Sequence, residues 1–143
     1  MKRFVTVLAI ALITLMCVTS SRKQTTIFMI GDSTMADKDI SKGSPERGWG
    51  MVLQGFFTED IVVDNHARNG RSSISFRNEG LWKTVLERIK PGDYVFIQFG
   101  HNDENVKDGR GTTPDEYKQN LIGYVQEVRA AGADPVLMTP ILM

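Results

Sequence analysis

The stretch Ile27-Phe28-Met29-Ile30-Gly31-Asp32-Ser33-Thr34 decides the fold of this chain. Its apolar first half is typical of a strand buried on both faces, and Gly31-Asp32 marks where the strand gives way to a turn. A serine at that point is exposed at the carboxyl edge of the sheet, where open α/β sheets have their ligand crevices. A nucleophilic serine needs this exposure, together with a base and an oxyanion hole. The stretch therefore makes Ser33 the first candidate for chemistry.

The composition is that of one ordinary globular domain. The chain has 143 residues, of which 41% are hydrophobic and 24% are charged, and 17 basic side chains balance 17 acidic ones. A balanced charge provides no single-signed field for nucleic acid or an anionic membrane surface. We therefore expect neither as a partner of the mature domain, and we expect no cofactor and no metal.

The first 20 residues predict a secretory signal peptide. Lys2-Arg3 supplies a positive start, residues 4–16 are almost wholly apolar, and small residues before Ser21 favour cleavage after Ser20. The mature domain would then be residues 21–143, in an extracytoplasmic compartment, periplasmic or secreted. Cys17, the only cysteine, has two interpretations. It is either a lipid anchor, for which the preceding Met16 is a poor fit, or a residue discarded with the signal.

Strand and helix patterns alternate along the mature chain, which predicts an α/β fold with a parallel sheet. The apolar runs predict strands at residues 26–30, 61–63, 94–99 and 135–138. Helical patterns lie at 48–57, 80–89 and 114–131, and the last begins with Thr113 as N-cap and Pro114 as first residue. The polar segments 64–77 and 100–113 follow strands, so both belong at the same sheet edge as Ser33.

Three post-strand loops carry a family resemblance. They are Gly31-Asp32-Ser33, the loop from Asn65 to Ser73, and Gly100-His101-Asn102-Asp103. In this order they resemble the SGNH (GDSL-type) hydrolases, and residues 31–36, 46–50, 67–73, 92–103 and 132–140 look like bacterial rhamnogalacturonan acetylesterases. The resemblance implies a flavodoxin-like three-layer sandwich and an esterase that removes acetyl groups from pectic polysaccharide.

The loops offer the parts of an acyl-transfer site. Ser33 Oγ would attack an ester carbonyl, and the oxyanion would meet the Ser33 N–H, the Gly70 N–H and the Asn102 side-chain amide. The family assigns these roles to the matching residues. Taken singly, Gly70 is equally typical of a turn and Asn102 of a turn cap. Asp32 and Asp103 are interpreted as carboxylates that hold their loops.

Further polar residues at this edge suit a polar, partly acidic polysaccharide, because arginine recognises planar carboxylates. They are Thr34, Arg68, Asn69, Arg71 and Ser72. The alternative is a solvated loop with internal ion pairs. Trp49 is either a sugar-stacking platform or an aromatic buried between helix and sheet, and Trp82 is predicted to lie in the core.

A base for Ser33 is the part that the sequence does not supply. The two histidines are His66 in the second loop and His101 in the third. Family members carry the catalytic acid and base in an Asp-x-x-His block after a further strand and helix, and this block is absent here. We therefore expect an inactive N-terminal part of an esterase, unless His101 approaches Ser33. The other hypotheses are a lipase-like esterase or thioesterase and a non-catalytic polysaccharide-binding remnant.

Overall fold

The computed structural model describes residues 24–105 and 109–141, and their centre is a four-stranded parallel sheet. The strands are β1 (Thr25–Gly31), β2 (Ile61–Asn65), β3 (Tyr94–Gln98) and β4 (Asp134–Leu137), and their order in the sheet is β2-β1-β3-β4. All three pairings are parallel. The predicted α/β fold with a parallel sheet is confirmed, and each predicted strand lies within two residues of an observed one. The expected signal peptide and Cys17 fall outside the described residues.

The described helices are α1 (Gly50–Leu53), α2 (Ser75–Asn78), α3 (Leu81–Leu86) and α4 (Pro114–Ala130), with short 3₁₀ turns at Ile40–Lys42 and Gln54–Phe56. The predicted helix at 48–57 is therefore shorter and changes to 3₁₀ geometry. The sequence predicts no helix at α2, where Ser72 starts the turn. Its Oγ accepts from the Ser75 N–H at 3.1 Å, and its carbonyl accepts from the Phe76 N–H at 3.1 Å.

Helix α4 begins where its capping signal predicts. Thr113 Oγ1 accepts from the Glu116 N–H, and the Glu116 carboxylate accepts from the Thr113 N–H at 2.8 Å. This reciprocal capping box satisfies backbone donors that a helix start leaves open. The same hydrogen bonds from Thr113 lower the pKa of Glu116. The end of the helix, at Ala130, lies one residue before the predicted end.

Apolar clusters cover both faces of the sheet. Side chains alternate along β1, so Phe28 and Ile30 join one cluster, while Ile27 and Met29 join the other. The first cluster is completed by buried residues of the second half of the chain: Phe76, Trp82, Val85, Val95, Ile97, Phe99, Tyr124, Val128 and Ala133. The second contains Met35, Ala36 and Ala67. Helices on both faces give the three layers that the sequence predicts, and Trp82 lies in the core.

Within the described residues, no helix combines the length and apolar character that a membrane span requires. The same part of the chain contains no group of three or more His, Cys, Asp or Glu side chains arranged to hold a metal ion.

Candidate active site

Ser33 lies in the turn that follows β1 and is half-buried. Asp32 before it is fully buried, and its Oδ1 accepts from the Thr34 N–H at 2.9 Å. The Asp32 carbonyl also accepts from the Met35 and Ala36 N–H groups. These bonds hold the turn on both sides of Ser33. Among the described residues, Ser33 Oγ itself has no hydrogen-bond partner, so its lone pairs remain available to a ligand.

The segment leading into α1 packs directly on this turn. The Trp49 N–H donates to the Thr34 carbonyl at 3.0 Å, and the Gly50 N–H donates to the Met35 carbonyl at 3.2 Å. Gly48 is so close to the turn that an added Cβ would lie 2.0 Å from the Ala36 carbonyl oxygen. The backbone behind Ser33 is therefore packed directly against a second backbone.

The second loop continues from β2 alongside the end of β1. The Arg68 N–H donates to the Gly31 carbonyl at 3.0 Å, which places this loop beside the Ser33 turn. Gly70 has φ +75°, a left-handed conformation that favours glycine. Its carbonyl accepts from Arg110 Nη1 at 3.0 Å, and this bond ties Gly70 to the third loop. The position of Gly70 thus requires a glycine for backbone reasons alone.

The third loop meets the second through Asn102. Its Nδ2 donates one N–H to the Arg71 carbonyl at 3.0 Å. This bond fixes the rotation of the amide plane and leaves the second N–H of the same nitrogen for another acceptor. The Gly31–Arg68 and Arg71–Asn102 bonds therefore bring the loops of Ser33, Gly70 and Asn102 together at the carboxyl edge of the sheet.

Asp103 is the anchor of the third loop. It is 4% exposed, and its carboxylate accepts from the Ser73 N–H at 3.0 Å and from Thr112 Oγ1 at 3.2 Å. Burial raises the pKa of Asp103 above its ordinary value, although the bonds from Ser73 and Thr112 act in the opposite direction. Ser73 is in turn held by Asn120 Nδ2 and by the Tyr124 hydroxyl, which donates to its carbonyl at 2.8 Å. Asp103 directly follows Asn102, so these hydrogen bonds anchor the third loop next to the Asn102 side chain.

Neither histidine is hydrogen-bonded to Ser33. His66 Nε2 lies 3.1 Å from Asp64 Oδ1 and 2.9 Å from Arg88 Nη1, in a small cluster of charged residues at the end of β2. His101 is half-buried, and its Nε2 is a buried atom with no hydrogen-bond partner among the described residues. The described residues therefore place no imidazole in hydrogen-bond contact with the proposed nucleophile.

The five residues expected to meet a polysaccharide are not equally open to one. Ser72 is 0% exposed, and its hydroxyl is bonded to Ser75, so the expectation that it lines the surface is wrong. The reason is the turn at α2, which directs this side chain inward. The Thr34 hydroxyl also has internal partners, because it lies 2.8 Å from Asp32 Oδ1.

Of the other expected sugar-binding residues on the second loop, two have partners within the protein and one has no ion pair in the part of the chain that the structure describes. Arg71 pairs with Glu79 at 2.8 Å, and Asn69 Oδ1 accepts from Lys38 Nζ at 2.6 Å. Arg68 is exposed and has no ion pair with any described residue. An open, polar cavity of about 660 Å³ lies beside it. It is lined by Ala36, Asp37, Asn65, Ala67, Arg68, Asn69, Arg71, Glu79 and Leu81.

Trp49 and Gln98 form a contact that the sequence does not predict. Trp49 is half-buried against the second apolar cluster, and its Nε1–H donates to Gln98 Oε1 at 2.8 Å. This packing agrees with the buried-aromatic interpretation of Trp49 rather than with an open stacking platform. Gln98 is 3% exposed at the end of β3. A glutamine within an otherwise apolar strand run is the only sequence signal for it.

A parallel α/β sheet that carries a serine turn, a glycine loop and a Gly-x-Asn-Asp loop at one edge is the architecture of a GDSL-type hydrolase. Residues 29–143 match the GDSL-like lipase/acylhydrolase family, and the chain belongs to this family. By its description this is a family of lipases and acylhydrolases, which are carboxylic ester hydrolases.

The chain is also similar to individual proteins named as rhamnogalacturonan acetylesterases. The chain is 40% identical to rhamnogalacturonan acetylesterase RhgT of Bacillus subtilis over 121 residues, which are 84% of this chain and 50% of the relative. It is 38% identical over 95 residues to the rhamnogalacturonan acetylesterase of Emericella nidulans, covering 66% of this chain and 35% of that protein. The chain thus spans about half the length, or less, of these relatives.

Solved structures give the same fold. The Bacillus subtilis protein YxiM superposes with a TM-score of 0.75 at 36% identity, over 82% of this chain and 33% of that chain. The psychrotrophic esterase EstA from Pseudoalteromonas superposes with a TM-score of 0.58 at 29% identity, over 80% of this chain and 58% of that chain.

Proposed function

We propose that this chain carries the nucleophile and oxyanion-binding half of a carbohydrate O-acetylesterase. The observation that supports it most is the Ser33 turn, whose hydroxyl has no partner among the described residues and whose neighbouring loops are bonded to one another. A nucleophile presented in this way can reach an ester carbonyl without first breaking an internal hydrogen bond.

In this proposal Ser33 Oγ attacks the acetyl carbonyl carbon and gives its proton to a base. The negative charge that develops on the carbonyl oxygen is met by the N–H groups of Ser33 and Gly70 and by the free N–H of Asn102. Collapse of the tetrahedral intermediate breaks the bond to the sugar oxygen, which takes up that proton from the base and leaves as a hydroxyl, while the acetyl group stays on Ser33. Water then hydrolyses this ester to acetate. The Arg71 carbonyl contributes by holding the Asn102 amide in one orientation.

For the substrate we propose acetylated rhamnogalacturonan. Two observations support this choice: the names of the relatives, and the polar cavity beside Arg68, whose guanidinium is without an internal ion pair in the described part of the chain. An arginine in that condition can pair with the carboxylate of an acidic sugar. Arg71 is a weaker candidate, because Glu79 already occupies its guanidinium.

We also propose that the 143-residue chain alone is a slow esterase. Its two histidines do not bond to Ser33, and His66 is engaged by Asp64 and Arg88. In serine hydrolases, loss of the base costs several powers of ten, and the oxyanion hole leaves only residual catalysis.

The first experiment measures acetate released from acetylated rhamnogalacturonan and hydrolysis of 4-nitrophenyl acetate and octanoate by the chain. We expect slow hydrolysis of the acetate esters, lost in Ser33→Ala, and weaker binding of the acidic polysaccharide by Arg68→Ala. Preference for the octanoate would favour a lipase-like esterase instead. Polysaccharide binding without any Ser33-dependent hydrolysis would favour the binding remnant. Rapid turnover that His101→Ala abolishes would make His101 the base.

We further propose that the protein is exported and processed near Ser20, on the basis of the charged start and apolar run of its first residues. N-terminal sequencing of the exported protein should begin at Ser21 or a neighbouring residue. Recovery of the protein in the cytoplasm with Met1 retained would contradict this, and a lipid-modified Cys17 as the first residue would identify the anchored form.

A further inference from the structure

Gln98 connects four separate segments behind the Ser33 turn. Its Oε1 accepts from Trp49 Nε1–H at 2.8 Å and lies 3.2 Å from Thr34 Oγ1, and its Nε2 donates to the Thr139 carbonyl at 3.1 Å. The side chain is 3% exposed, so water cannot replace these partners. The segments joined are β3, the Ser33 turn, the start of α1 and the residues that follow β4.

The partners of Gln98 determine which way its amide faces. The Trp49 indole can only donate, and the Thr139 carbonyl can only accept. A flipped amide would place an N–H₂ group against the indole N–H and an oxygen against the carbonyl, and both contacts would be repulsive. The oxygen of Gln98 must therefore face Trp49 and Thr34.

The turn around Ser33 is held through this fixed oxygen. The single hydroxyl hydrogen of Thr34 lies between two acceptors, Asp32 Oδ1 at 2.8 Å and Gln98 Oε1 at 3.2 Å. The residues on both sides of Ser33 thus belong to one network. In the backbone, Gln98 stands opposite Gly31 across the β1–β3 pairing, and an added Cβ at Gly31 would lie 2.6 Å from the Gln98 carbonyl oxygen.

The same network reaches the third loop. The Thr139 carbonyl accepts from Gln98, and the next residue is Pro140. The Pro140 ring packs against Gly100, because an added Cβ at Gly100 would lie only 2.8 Å from two ring carbons. Gly100 begins the loop that carries Asn102. The segment after β4 is therefore in contact with the Gln98 side chain and with the start of the Asn102 loop.

We propose that Gln98 is a positioning residue that holds the Asp32–Thr34 turn against Trp49 and Thr139, and that it thereby presents Ser33 Oγ for attack. This inference rests on the proposed role of Ser33 as nucleophile. Gln98 does not touch the reacting atoms, and it acts through Thr34. Without its amide, Ser33 remains in the turn, but the turn is free to shift relative to the loops of Gly70 and Asn102.

The test compares Gln98→Met with a matched control, Gln54→Met, in the full 143-residue chain. Gln54 also joins two backbone groups through its side-chain amide, the Ile61 carbonyl at 3.0 Å and the Val63 N–H at 2.8 Å, but it lies away from the Ser33 turn. Methionine matches glutamine in length and cannot replace these hydrogen bonds. Circular dichroism and urea unfolding confirm that each variant is folded before its reactivity is compared.

Reactivity is measured with a fluorophosphonate probe, in which Ser33 Oγ displaces fluoride from phosphorus and its proton passes to the buffer. The labelled residue is identified by mass spectrometry. We expect Gln98→Met to slow labelling at Ser33 on the order of 10-fold or more, because small misplacements of a reacting group are costly. Gln54→Met should stay within about twofold of the parent chain, as expected for a remote site.

Gln98→Glu supplies a rescue that a merely structural role would not produce. A protonated glutamate has a carbonyl oxygen for Trp49 and an O–H for the Thr139 carbonyl, so it reproduces the pattern of glutamine. An ionised glutamate instead places a carboxylate oxygen against the Thr139 carbonyl oxygen, and that contact is repulsive. The labelling rate of Gln98→Glu relative to the parent chain should therefore recover on acidification, whereas the ratio for Gln98→Met should not. This variant also keeps the test usable if Gln98→Met does not fold.

Backbone amide resonances of residues 32–34 give a readout that does not depend on reactivity. Gln98→Met should move them and the Trp49 indole resonance, and Gln54→Met should not. If the parent chain is not labelled at Ser33 but these amides still move, the reactivity of Ser33 in this chain is refuted and the positioning of the turn by Gln98 stands. If the amides stay in place, or if Ser33 is labelled at an unchanged rate in Gln98→Met, the inference about Gln98 is overturned.

Discussion

Gly48→Ala should strongly destabilise the domain, because the backbone behind the Ser33 turn leaves no room for a side chain. An added Cβ would lie 2.0 Å from the Ala36 carbonyl oxygen and 2.8 Å from the Met35 carbonyl carbon, whereas real Cβ contacts essentially never fall below 3.0 Å. Both neighbours are backbone atoms, so no side chain can rotate away. The segment or the turn must therefore move by at least about 1 Å, which is a small-to-large change in a packed interior.

The cost follows from what that movement breaks. The bonds from Trp49 N–H to the Thr34 carbonyl and from Gly50 N–H to the Met35 carbonyl join the two segments at this point. Each contributes about 1 kcal/mol net. Overpacking adds about 1–3 kcal/mol, so the expected loss is about 3–5 kcal/mol of the free energy of unfolding. Since domains of this kind are stable by only about 5–15 kcal/mol, much of the total is removed.

Urea unfolding followed by circular dichroism measures this loss, with Gly55→Ala as the matched control. An added Cβ at Gly55 meets nothing within 4 Å, and its φ is not positive, so alanine there should be neutral or stabilise by up to about 1 kcal/mol. The reasoning is refuted if Gly48→Ala and Gly55→Ala unfold at the same urea concentration.

Three further changes test other contacts. Because burial raises the pKa of Asp103, the unfolded chain ionises first as pH rises, and the stability contributed by this residue should fall from about pH 4 upward; Asp103→Asn should remove that fall from urea unfolding measured across pH, and an unchanged pH profile would contradict it. Asp93→Ala leaves the N–H groups of Thr26 and Lys90 without their shared carboxylate, at an expected cost of about 2–4 kcal/mol in the same assay; a loss below about 1 kcal/mol would mean that water replaces it. Thr113→Ala removes the helix cap and should cost about 1 kcal/mol, whereas Thr113→Ser, which keeps the hydroxyl, should cost less.

The elements that the sequence predicts best are those whose signals are local. The apolar run at residues 26–30 and the N-cap at Thr113 depend on neighbouring residues, and the structure has a strand at Thr25–Gly31 and a capped helix start at Thr113. Helix α2 was not predicted because its signal is a pair of serine hydroxyls, at Ser72 and Ser75, in a segment otherwise typical of a loop. The inward turn of Ser72 has the same cause.

In the candidate site, too, the features with a local sequence signal were predictable and the others were not. The order of the three loops predicts that they share one edge, because the carboxyl ends of parallel strands do. Which side chains remain open there depends on partners from distant segments. Glu79 occupies Arg71, and Gln98 gathers Trp49 and Thr139 from opposite ends of the domain. Pairings of this kind arise from packing in three dimensions, and no local pattern encodes them.

The parallel order of the strands also has a consequence in time. β1 is the strand between β2 and β3, yet it is made first, and its Thr26 N–H bonds to Asp93, 67 residues further along the chain. At a ribosomal rate of about 5–20 residues per second, that partner emerges roughly 3–13 seconds later. During this interval a strand whose last five residues are buried in the finished sheet has no neighbour on its β3 side. The apolar strand β1 therefore remains without its partner β3 for several seconds of synthesis. During that time its free edge can pair with a strand of another chain.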